Sequence, residues 1–173
     1  SGRLRLTAAG EKVYAFAVQT LERNALLTED LQSLAEGSDL LRLDVTFSIG
    51  DHFLPELLGQ FSERFPQYKI NRRLGYSNGI QTRLVTGLAD LAIMEKPPDH
   101  PDILVQKCLE DELWLTVGPH HPLAKDNVES IESAHLHQLS YVLRERLAAV
   151  RQTAEEALNS IGIGNLNIKM EVG

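Results

Sequence analysis

Residues 41–95 read LRLDVTFSIGDHFLPELLGQFSERFPQYKINRRLGYSNGIQTRLVTGLADLAIME, and this stretch decides the fold. Two apolar runs, 41–47 and 68–74, each lead through a short polar turn into a helical segment, 51–65 and 78–86. Pro55 falls early in the first of these helices, where a missing N–H costs little. Gly87 suits the end of the second. The run at 90–94 (DLAIM) fits a short buried parallel strand, and Pro97-Pro98 then forces a turn. Strands and helices alternating in this order predict an α/β fold with a mostly parallel sheet.

The turns themselves carry chemistry. Thr46 and Ser48 lie where the first strand gives way to a helix, and Ser77 and Asn78 lie where the second does. Free backbone N–H groups and the positive end of a helix dipole meet at such places. Parallel α/β sheets also take their ligands beyond the carboxyl ends of the strands. For any one residue helix capping, worth about 1 kcal/mol, is the simpler account. Two hydroxyl-bearing turns on neighbouring strands make a small-molecule pocket more attractive than either turn alone.

Working outward, residues 8–35 contain no proline and only Gly10 as glycine. Thr7 can cap this long helix, with Glu11 in its first turns. Val13, Phe16, Ala17, Leu21, Leu27, Leu31 and Leu34 form a rough helical stripe that must be covered by something, either its own domain or a partner helix. Gly37-Ser38-Asp39 is the clearest linker. Beyond the central stretch, strands are expected at 103–107, 112–117, 139–144 and 167–172, with helical segments at 128–137 and 148–160.

Composition narrows the function classes. A hydrophobic fraction of 43% suffices for a packed core, and a net charge of −7 argues against nucleic-acid binding over the whole surface. Arg3, Arg5 and Lys12 against Glu11 leave a slightly basic end, a weak candidate for DNA contact through Arg3 and Arg5. No apolar run approaches the ~20 residues needed to span a bilayer, so no membrane partner is expected. No basic-then-apolar leader opens the sequence, and Cys108 is the single cysteine, which agrees with a reducing, cytoplasmic setting. The pairs His120-His121 and His135/His137 match no zinc signature, so no metal is expected. GxSxG, GxGxxG and GxxxxGK[ST] are all missing, so neither a catalytic residue nor a cofactor is expected. The chemistry left is binding.

The run RLRLTAAGEKV, the long helix, and then LRLDVTFSIGDHFLPELLGQFSERFPQYKI resemble a LysR-type transcriptional regulator. The likeness continues through GYSNGIQTRLVTGLADLAI and DELWLTVGPHHPLA. The resemblance implies an N-terminal winged helix-turn-helix, which this sequence lacks, then a linker helix and a periplasmic-binding-protein-like effector domain of two α/β subdomains. Residues 1–37 would be the end of the wing and a dimerising linker helix, 38–113 the first subdomain, and 114–173 an incomplete second one. Implied partners are a small-molecule effector, DNA through the missing domain, and further copies of the chain (a homodimer or homotetramer) through helix 8–36 and the effector domains. Carried over by position, Ser48 and Ser77 become effector contacts, and Thr46, Asn78 and Glu95 lie near the same cleft. Many relatives carry a turn of the form LREPGSGTR in the second subdomain. Here residues 143–151 read LRERLAAVR, without the glycines, serine and threonine that would build an anion nest, although Arg151 remains to pair with a carboxylate. The alternative is a solute-binding protein of a transport system, against which the long leading helix speaks.

Overall fold

The computed structural model describes residues 5–125 and 131–173. The chain divides into two units, Ser1–Met94 and Glu95–Gly173.

In the first unit, α1 (Ala8–Glu36) begins at Thr7, whose Oγ1 accepts the Gly10 N–H at 3.1 Å. It ends at Gly37, whose φ of 67° is a left-handed conformation that costs glycine nothing. Then follow β1 (Asp39–Thr46), α2 (Phe47–His52), α3 (Leu54–Arg64), β2 (Tyr68–Gly75), α4 (Ser77–Val85) and β3 (Leu91–Ile93). The single helix expected over 51–65 is in fact two. Pro55 sits in the first turn of α3 and has no N–H to offer a preceding turn, so the chain starts a new helix there. Gly87, just past α4, has φ 72° and serves the terminating role expected of it.

The three strands are parallel in the order β2-β1-β3, paired from Asp39↔Tyr68 to Thr46↔Gly75 and from Leu43↔Leu91 to Val45↔Ile93. Side chains alternate along a strand. Leu43 and Val45 therefore share one face of β1 and pack with Leu54, flanked by Ile49, Leu58, Ile70, Leu74 and Ile93. Arg42, Asp44 and Thr46 belong to the other face. The apolar stripe of α1 is not covered by its own unit: Val13, Phe16, Leu21, Leu27, Leu31 and Leu34 are all exposed. What α1 turns toward the unit is half-buried Glu22, Leu26 and Glu29 and buried Ser33.

The second unit contains α5 (Pro122–Lys125), α6 (Ser133–Leu136), β4 (Ser140–Arg144), α7 (Ala149–Ser160) and β5 (Asn167–Val172). β4 and β5 are parallel, with a shift of register between Tyr141 and Val142. Leu136, Tyr141, Ala148, Ala149 and Ile163 are buried, and the Tyr141 hydroxyl donates to the Leu136 carbonyl at 2.7 Å. Burial raises the Tyr141 pKa. Of the helical patch expected at 128–137, residues 128–130 lie outside the described residues, and the helix present is 133–136. The strands expected at 103–107 and 112–117 are not formed. Their apolar composition suits a strand, but among the described residues none pairs with them to take up their N–H and C=O groups. Leu104 and Trp114 consequently stand exposed.

Candidate functional site

The C-terminal edge of the first sheet brings the two hydroxyl-bearing turns side by side, because Thr46 pairs with Gly75 in the last rung of the β1–β2 ladder. Thr46 is extended (φ −69°, ψ 155°) and immediately precedes α2; Ser77 is the first residue of α4. Phe47 and Tyr76, the residues next to them, stack in a tilted pair with ring centroids 5.1 Å apart. That contact fixes one turn against the other.

Capping does not account for the hydroxyls. Neither α2 nor α4 has a side-chain cap hydrogen bond. The Thr46 Oγ1 and Ser77 Oγ atoms are both buried, and neither has a hydrogen-bond partner. A buried hydroxyl without a partner is costly, and native structures keep few of them. Two of them lie here in adjacent turns at the carboxyl end of the sheet, and the Ser38 Oγ and Arg42 Nε atoms are likewise buried without a partner.

The remaining expected residues are distributed as follows. Ser48, the second residue of α2, is half-buried. Asn78 is exposed in the first turn of α4, and its backbone carbonyl accepts the Thr82 hydroxyl at 3.0 Å. Glu95 is exposed and opens the second unit, just beyond β3. Arg5 is exposed, and Arg3 lies outside the described residues.

Arg151 is nearly completely buried on α7. Its Nε donates to Glu155 at 2.8 Å, and its Nη1 donates to Glu171 at 2.8 Å and to the Arg144 carbonyl at 2.9 Å. Its hydrogen bonds to Glu171 first and then to Glu155 raise its pKa, against the opposing effect of burial. These bonds tie α7 to β4 and β5 and balance the charge within the unit. Ala148, at the start of α7, provides no side-chain cap, as expected from a turn without serine or threonine.

Sequence reading missed the groups beneath the site. Asp44, two residues before Thr46, is 2% exposed. Its Oδ2 accepts from the Arg83 Nε at 2.7 Å, and the Arg83 Nη2 donates to the Leu88 carbonyl at 2.9 Å. A carboxylate set between the apolar Leu43 and Val45 was the available signal. Among the described residues, no group of three or more His, Cys, Asp or Glu side chains is placed to hold a metal ion. No helix among them is long and apolar enough to cross a membrane.

A model of the LysR substrate binding domain matches residues 35–173. The HTH-type transcriptional activator CmpR of Synechocystis is 31% identical over 98% of this chain and 55% of its own length. A probable RuBisCO transcriptional regulator of Cyanidium caldarium is 29% identical over 97% of this chain and 54% of its own. The chain thus spans about half the length of these curated relatives. Among solved structures, the effector binding domain of QuiR in complex with shikimate superposes with a TM-score of 0.66 at 25% identity, covering 78% of this chain and 64% of that one. Full-length CbnR complexed with its target DNA, at 20% identity, shares the fold with a TM-score of 0.70 over 99% of this chain and 59% of that one.

Proposed function

Because the chain belongs to the LysR substrate-binding domain family, we propose that it is the effector-sensing part, with its linker helix, of a cytoplasmic DNA-binding transcriptional regulator. The observation that carries this reading is the pair of buried, unpartnered hydroxyls of Thr46 and Ser77 in adjacent turns. An effector with polar oxygens supplies the missing partners there. Ser48 and Asn78 flank that position, whereas Arg151 is paired with Glu155 and Glu171 within its own unit. A hydroxyl both donates and accepts, so the site suits a small hydroxylated or carboxylic compound. No catalytic step is needed: the effector acts by binding two states of the protein with different affinities.

Residues 1–37 then hold the end of a wing and the linker helix, 38–113 the first subdomain and 114–173 part of the second. DNA is read by a domain outside these residues, with Arg3 and Arg5 as weak contributors. Helix 8–36, with its exposed apolar stripe, joins copies of the chain. The regulator names carried by the relatives support this account over a transport solute-binding protein.

A thermal-shift panel of small hydroxy and carboxylic acids, shikimate among them, identifies a binder for calorimetry. Thr46→Val, Ser48→Ala and Ser77→Ala are expected to weaken its binding, the two buried hydroxyls by roughly tenfold each, with folding retained. Unchanged affinity in all three variants rejects the site.

A further inference from the structure

The sheet face opposite the core is polar, and α1 answers it residue for residue. Along β2, alternate residues Lys69, Asn71 and Arg73 share one face, and along α1, Glu36, Glu29 and Glu22 recur every seven residues on one seam. They meet in that order: Lys69 pairs with Glu36, Asn71 Nδ2 donates to Glu29 at 3.0 Å, and Arg73 Nη1 lies 3.5 Å from Glu22. Arg42 on β1 adds an ion pair with Asp30. Seven helical residues advance about 10.5 Å and two strand residues only about 6.7 Å, so the ladder fits best at its centre. The short Asn71 stands there, and the long Lys69 and Arg73 reach outward at the two ends.

This seam is a weak fastening. Leu26 is the one large apolar side chain that α1 contributes to it among the described residues, and a cavity of about 150 Å³, lined also by Leu88, remains between helix and sheet. Glu36 and Lys69 are each more than half exposed, and exposed ion pairs of this kind contribute little and are screened by salt. One rung differs from the others. Glu22 also faces Arg83 at 3.9 Å, and Arg83 is held by buried Asp44 and by the Leu88 carbonyl. Arg83 belongs to α4, the helix that starts at Ser77, and Asp44 lies two residues before Thr46 on β1.

We propose that α1 is a detachable ionic strap on the first unit, and that Arg83 couples its attachment to the turns carrying Thr46 and Ser77. The coupling rests on the reading of those turns as the effector site. An effector that orders the start of α4 steadies Arg83 and tightens the strap; by thermodynamic reciprocity a tight strap favours the effector. Arg83 acts here as a positioning residue and touches no effector itself.

Amide hydrogen exchange on the ligand-free chain tests this without knowledge of the effector. Glu22→Gln is expected to speed exchange about fivefold both in the second half of α1 and in residues 77–85, through the loss of its pairs with Arg73 and Arg83. Glu36→Gln, which loosens the strap away from Arg83, should speed exchange in α1 and leave 77–85 unchanged. Raised salt should reproduce the α1 response in the unmodified chain. An α4 that ignores Glu22→Gln, or responds equally to both variants, overturns the coupling; an α1 that ignores both overturns the strap. Failure of the effector site itself is read separately, from the binding of the Thr46 and Ser77 variants.

Discussion

Replacing Thr46 with valine removes a hydroxyl and keeps the shape and β-branching of the side chain, so what it measures is the hydroxyl. In the ligand-free chain that hydroxyl is buried and bonds to nothing, neither capping α2 nor reaching another group. Desolvating a hydroxyl without a compensating bond costs about 1–3 kcal/mol on mutational scales. Thr46→Val should therefore stabilise the ligand-free protein, by about 1 kcal/mol once imperfect packing of the new methyl is allowed for. For a chain of this size that corresponds to a rise of roughly 2–4 °C in Tm. The assay is urea and thermal unfolding followed by circular dichroism, with the slope in urea checked for constancy. If the hydroxyl were a helix cap, the same substitution would instead cost about 1 kcal/mol. A loss of that size refutes the reasoning.

Two further outcomes follow from the structure. A chain beginning at Ser38 lacks the exposed stripe of α1 and should form smaller assemblies in sedimentation than the intact chain; an unchanged oligomeric state would count against helix-mediated association. Burial raises the Tyr141 pKa above its ordinary value near 10, so the protonated phenol is favoured in the folded state. Its contribution is full below that value and is lost as pH rises through the folded pKa. Stability should thus decline in alkaline solution, and Tyr141→Phe should flatten the decline while costing about 1 kcal/mol near neutrality for the bond to Leu136. A Tyr141→Phe variant with the same alkaline profile contradicts this.

Much of the fold was legible because its signals are local. Thr7 and Gly37 bound α1 by capping and by a left-handed glycine, and β1, β2, α4 and α7 fall within a residue or two of where periodicity puts them. What failed depended on distant partners. Residues 103–107 and 112–117 have the composition of strands, but a strand is a pairing, and composition carries no information on whether a neighbour is present. The break between α2 and α3 was only half within reach: Pro55 states where a helix can begin, but not that another ends just before it. At the site, the residue types at Thr46 and Ser77 were visible in the sequence, whereas their lack of partners is a property of three-dimensional surroundings. Arg151 shows the converse: an arginine whose charge is balanced by Glu155, one helical turn on, and by Glu171, which spacing alone would not single out. The acid–base ladder of α1 and β2 was written in the spacing of residues 22, 29 and 36 against 69, 71 and 73, but only the fold shows which strand the helix lies on.

A structure of the chain with a bound compound tests most directly whether the Thr46 and Ser77 hydroxyls take part in effector binding. Polar atoms of that compound are expected within about 2.6–3.2 Å of both the Thr46 Oγ1 and the Ser77 Oγ atoms. A compound bound elsewhere, with both hydroxyls still buried and unpartnered, would contradict this expectation.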